Sequence, residues 1–190
     1  MKAVIFDCFG VLYLSWERAL YERAVPGAKA LSAQLDDISA QSDYGFISKQ
    51  EARQQVAELL GVTVAQVEQY ARDGHSRNQT LIDYSQTLRP RYRVGMLSNI
   101  SRDGIDRYLP AEERTQLFDA VVLSGDIGLT KPHPQVFQAI ADALGVAPGD
   151  CVMIDDLAAN CAGADAAGMR AIQFHTNQQA IRQLQVLLAH

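Results

Sequence analysis

Five short apolar runs, at 3–6, 92–97, 120–124, 151–154 and 171–174, punctuate this chain of 190 residues, and helix-patterned segments separate the last four. Strands that alternate with helices form a parallel sheet covered on both faces, so an α/β architecture is expected. Right-handed crossovers bring the carboxyl ends of the strands to one edge, where ligands bind in the crevice beyond the sheet. The residues that close the runs are therefore the candidates for chemistry. Asp7 follows Ala3-Val4-Ile5-Phe6, Ser98-Asn99 follow the second run, Lys131-Pro132 come after the third, and Asp155-Asp156 end the fourth.

The long stretch between the first two runs has a different pattern. Trp16, Leu20 and Ala24 share a helical face that Pro26-Gly27 ends, and Ala28, Leu31, Leu35 and Ile38 recur at spacings of three and four. Ser48 with Glu51, and Thr63 with Gln66, have the capping-box pattern. Between them Ala52, Val56, Leu59 and Leu60 make an apolar face, and Gly61 fits a C-terminal stop. This predicts an insert of short helices, with no strand among them, forming a small cap. The chain then divides into a core at 1–13 and 76–190 and a helical cap at 14–75. Within the core, helices are predicted at 78–89, around Ile105, Tyr108 and Leu109, and over Val136, Phe137, Ile140 and Leu144 up to Gly145. Two more are predicted at 158–167 and, begun by Thr176 with Gln179, over Ile181, Leu184 and Leu188.

With 48% hydrophobic and 21% charged residues, the chain has the balance of a soluble globular protein. A formal charge of −5 argues against general nucleic-acid binding, and no apolar run is long enough to span a bilayer. The N-terminus enters the first strand without a secretory signal. A cytoplasmic protein with no nucleic-acid or membrane partner is expected. Cys8, Cys151 and Cys161 contain no C-x-x-C pair and read as small buried hydrophobes.

Each edge residue has an ordinary explanation alone: Ser98-Asn99 as a loop entry, Lys131 as a solvated charge, Asp155-Asp156 as a helix cap. Together they point elsewhere. Three converging carboxylates repel one another, and a divalent cation such as Mg²⁺, which prefers oxygen ligands, relieves that repulsion. A lysine and a hydroxyl beside the same cation make a pocket for phosphoryl oxygens. The remaining oxygen of Asp7 can then attack phosphorus, splitting a difficult transfer into two easier steps.

The order of these residues resembles the four motifs of the haloacid dehalogenase superfamily. The carriers are Asp-x-x-Gly-Val-Leu at 7–12, Leu-Ser-Asn at 97–99, Lys-Pro at 131–132, and Asp155-Asp156 with Asn160. The stretch from Phe118 to Gly145, and Gly45-Phe46-Ile47-Ser48 before Glu51, are similar to the phosphatase-like branch with a helical cap inserted after strand 1. The resemblance implies a Rossmann-like doubly wound core and a Mg²⁺-dependent phosphatase or phosphotransferase. Its substrate would be a small organic phosphate. It also implies roles. Asp7 would be the nucleophile and a direct Mg²⁺ ligand, Asp156 a second direct ligand, and Asp155 a ligand through water. Ser98 and the Asn99 amide would hold phosphoryl oxygens, Lys131 would neutralise nucleophile and phosphoryl group, and Gly10 would permit the turn. Asn160 would orient Lys131 or the metal's waters.

One position departs from that family pattern. Two residues after the nucleophile the family commonly has a second aspartate, the acid and base of the reaction; here it is Phe9. Its backbone carbonyl can still ligate Mg²⁺, but the acid-base role is lost, a factor of about 10² to 10⁴ in rate. Asp43, Tyr44, Glu51 and His75 are candidates to replace it, and Tyr13, Trp16, Tyr44 and Phe46 are aromatic candidates to line a pocket, with Trp16 and Phe46 read first as core. Two other readings follow from Phe9. The family's haloacid dehalogenases carry an aromatic residue there and work without metal, and a phospho-ligand-binding regulatory module would need little turnover.

Overall fold

The computed structural model describes residues 1–15, 21, 24–43 and 46–189. Seven strands are described: β1 (Ala3–Phe6), β2 (Tyr13–Ser15), β3 (His75–Arg77), β4 (Arg93–Ser98), β5 (Ala120–Leu123), β6 (Cys151–Asp155) and β7 (Arg170–Gln173). Five of them make one parallel sheet in the order β5-β4-β1-β6-β7. This is the Rossmann-like α/β fold that the strand and helix alternation implies. The strand order reverses on either side of β1, which places the segment after Phe6 at the switch point of the sheet. The register pairs Phe6 with Met96 on one side and Ile154 on the other. Asp7, Ser98 and Asp155 therefore reach the same edge.

The chain divides into two compact units, Met1–Tyr13 with Asn78–His190, and Leu14–Arg77. In the first, Ile5, Leu97 and Met153 from three strands pack with Val136, Phe137, Ile140 and Leu144 from the helix Pro134–Leu144. Those helix residues sit at the three-and-four spacing of one face, and Gly145 stops the helix with φ of 70°. Full burial of a side chain such as Phe137 is worth about 1.5–3 kcal/mol. The helix Ala158–Ala166 is rich in small residues for a visible reason. A Cβ on Gly163 would lie 2.6 Å from the Pro132 carbonyl oxygen, so the missing side chain lets this helix approach the Lys131-Pro132 segment.

The second unit has its own core of Tyr21, Ala28, Leu35, Ala57, Leu60 and Val67. Its helices at Lys49–Leu60 and Val64–Asp73 begin with the capping boxes Ser48/Glu51 and Thr63/Gln66, and Gly61 ends the first in the left-handed conformation. The expectation of an insert without strands is overturned: β2 and β3 pair in a two-stranded sheet where the chain leaves and re-enters the core. Phe46, expected in the core, is 79% exposed. Trp16, Leu20, Tyr44 and Gly45 lie outside the described residues, as do the side chains of Asp43 and His75. Among the described residues no helix is long and apolar enough to cross a membrane.

Candidate active site

β1 ends at Phe6, and the Asp7 amide continues its ladder by donating to the Ile154 carbonyl at 2.9 Å. The Asp7 carboxylate is thus launched from the centre of the sheet. It is buried, and the following amide, that of Cys8, donates to its Oδ1 at 2.6 Å. Gly10, three residues on, has a φ of 89°. A Cβ there would fall 2.2 Å from Asp156 Oδ2, so this position needs glycine both for its backbone and for the approach of Asp156.

Lys131 is 1% exposed and stands between two carboxylates, its Nζ 2.8 Å from Asp7 Oδ1 and 2.5 Å from Asp155 Oδ2. Its backbone is gripped from β4: Asn99 donates its Nδ2 to the Lys131 carbonyl at 3.0 Å and accepts the Lys131 amide on Oδ1 at 2.8 Å. Ser98, the last residue of β4, is buried at the same edge. Asp155 is fully buried and its oxygens are taken. Oδ2 faces Lys131, while Oδ1 accepts from the Leu157 amide at 3.0 Å and from Asn160 Nδ2 at 2.9 Å. Asn160, expected to orient Lys131 or metal-bound water, reaches Lys131 through Asp155. Asp156 is only half-buried.

Asp7, Asp155 and Asp156 each offer a carboxylate oxygen within 4.8 Å of the others. Three carboxylates thus gather at one edge, two of them in contact with the Lys131 ammonium. The protonation of the site reflects this. Asp7 is pushed up to about 7, first by burial and then by its neighbours Asp155 and Asp156, against the pull of Lys131. Burial works against the charge on Lys131, yet Asp7 and Asp155 outweigh it and raise its pKa. A donor set made of three carboxylate oxygens suits a hard divalent cation.

Other expectations resolve around this centre. Phe9 lies in the turn, its ring half-buried, 5.0 Å from the Tyr108 ring and 6.2 Å from that of Tyr13. Glu51 is committed to its cap, accepting the Ser48 amide at 2.8 Å, which lowers its pKa. Burial pushes the Cys8 thiol up, and Cys151 and Cys161 up to about 11, which disfavours the thiolate in all three. The Asn99 clamp and the Tyr108 contact escape sequence reasoning, since both depend on how distant loops close.

Residues 1–168 match the family model described as haloacid dehalogenase-like hydrolase. The chain belongs to this family. A phosphatase of Mycobacterium tuberculosis is 44% identical over 80 residues, 42% of this chain and 37% of that protein. The chain spans about a third of the length of the curated relatives it matches. A haloacid dehalogenase family enzyme of Bacteroides thetaiotaomicron, solved with magnesium and inorganic phosphate, superposes with a TM-score of 0.65 at 23% identity, over 93% of this chain and 96% of that one. A dehalogenase solved with an intermediate complex gives 0.76 at 19% identity, over 93% and 86%. At these identities the two structures establish the fold.

Proposed function

We propose that this haloacid dehalogenase-like hydrolase is a Mg²⁺-dependent phosphatase or phosphotransferase. It acts on a small organic phosphate through an aspartyl-phosphate on Asp7. The observation that carries the reading is the convergence of Asp7, Asp155 and Asp156 at one sheet edge, their carboxylate oxygens within 4.8 Å of one another and Lys131 held between the first two. The phosphatase relative and the magnesium and phosphate held by the Bacteroides enzyme support it. Asp7, Asp156 and the Phe9 carbonyl would hold the ion directly, and Asp155, whose oxygens already have partners, through water. When bound, Mg²⁺ supplies the positive charge that lets the carboxylates stay ionised and screens the phosphoryl oxygens.

The rest is done by the chain. Asp7 attacks phosphorus with the oxygen that the Cys8 amide does not hold. The Ser98 hydroxyl and the Asn99 amide bind phosphoryl oxygens, and Lys131 neutralises the nucleophile and the group in flight. Asn99 fixes the Lys131 backbone and Asn160 fixes Asp155, so the ammonium is held in place before substrate arrives.

Phe9 favours a second reading, a metal-independent 2-haloacid dehalogenase, because halide leaves without a proton. The carboxylate trio opposes it, since attack on carbon has no use for a cation site. Hydrolysis of an aryl phosphate is expected to require Mg²⁺ and to vanish in Asp7→Asn. Metal-independent halide release from 2-haloacids would instead establish the dehalogenase. Absence of both activities, with Mg²⁺-dependent binding of beryllofluoride, would mark a regulatory module.

A further inference from the structure

Three aromatic rings gather between the turn that carries Asp7 and the segment that follows β4. Phe9 meets Tyr108 edge to face, with centroids 5.0 Å apart at 81°, and the Tyr13 and Tyr108 rings are 5.9 Å apart at 66°. The Tyr13 hydroxyl donates to the Tyr108 carbonyl at 2.7 Å, which locks the two loops together. Tyr13 is buried, whereas Phe9 and Tyr108 are half-buried. The rings come from the same two segments that carry the reacting groups, the turn after β1 with Asp7 and the stretch after β4 that begins at Ser98-Asn99.

The turn also lacks a proton to give. From Cys8 to Tyr13 its side chains are a fully buried thiol, a phenyl ring, a glycine, two aliphatic groups and a phenol already donating to a carbonyl. We infer that Phe9 and Tyr108 form an apolar wall for the leaving group and select phosphate monoesters of planar, weakly basic hydroxyls, namely phenols and enols. This rests on the phosphatase reading of Asp7. In the first step an Asp7 oxygen bonds to phosphorus as the bond from phosphorus to the leaving oxygen breaks. The electron pair stays on that oxygen, which departs as phenolate or enolate and takes no proton from this turn. In the second step the oxygen of water bonds to phosphorus, the bond to Asp7 breaks, the carboxylate is regenerated, and the proton of water leaves with phosphate or solvent. The planar leaving group packs on the rings as aromatic pairs do, an attraction that an acyl leaving group without a ring does not have.

The test measures kcat/KM with Mg²⁺ for phenyl phosphates of graded leaving-group acidity, for acetyl phosphate and for an alkyl phosphate. The expected result is a steep rise with acidity and an alkyl rate about 10² to 10⁴ below the aryl rate, the factor that an acid would supply. In Phe9→Leu and in Tyr108→Leu, each checked for folding by circular dichroism, the ratio of aryl to acetyl phosphate is expected to fall by about 3- to 10-fold. Alkyl phosphates turned over as fast as aryl ones, or an unchanged ratio in both folded variants, would overturn the inference while leaving the phosphatase reading intact. If both variants misfold, the wild-type series decides alone. Failure of the wild type to release phosphate from any of these substrates, acetyl phosphate included, would sink the phosphatase reading and the inference with it.

Discussion

Asp7 acquires its character from position more than from type. A carboxylate on a central strand is desolvated from all sides, and Lys131, its nearest cation, is shared with Asp155. Gly10 is what lets the fourth partner, Asp156, come close. In Gly10→Ala the new Cβ would meet the Asp156 carboxylate at 2.2 Å, in a backbone conformation that costs a non-glycine residue about 1–3 kcal/mol. We expect the variant to lose about tenfold or more in aryl phosphate kcat/KM and to melt lower by about 2–4 °C for each kcal/mol. Wild-type kinetics and melting in this variant would show that Asp156 does not need the space.

At the scale of elements, much was legible because the signals are local. The capping boxes at Ser48, Thr63 and Thr176, and the glycine stops at Gly61 and Gly145, all form as their sequences dictate. What was illegible depends on distant partners. β2 and β3 have three residues each and no alternating pattern, so their pairing is decided by where the insert returns to the core. The site divides in the same way. Asp7, Ser98 and Asp155 could be read because a strand end marks each. The Asn99 side chain could not, since its partner Lys131 lies 32 residues on, and Tyr13 meets the Tyr108 carbonyl across 95 residues.

For the whole molecule, the buried carboxylates make stability depend on pH and metal together. The pKa of Asp7 is raised from 3.8 to about 7 by burial first. Between those values the unfolded chain releases a proton that the folded chain retains, so the metal-free protein loses stability as pH rises through this window. Lys131, with its pKa raised, contributes stability below its unfolded value that is lost only as pH climbs through its folded one. On the proposed reading, Mg²⁺ would have to displace the Asp7 proton. Its apparent affinity, read from the rise in Tm with added metal, should therefore increase about tenfold per pH unit between pH 5 and 7 and level off above. A metal-induced shift independent of pH would place the ion away from Asp7.

The nucleophilic role proposed for Asp7 is tested most directly by acid-quenching the Mg²⁺-loaded protein during turnover of an aryl phosphate and weighing its peptides. The account predicts one added phosphoryl group on the peptide that contains Asp7, absent from Asp7→Asn. Steady turnover with no label on Asp7, or a label that survives in Asp7→Asn, would contradict it.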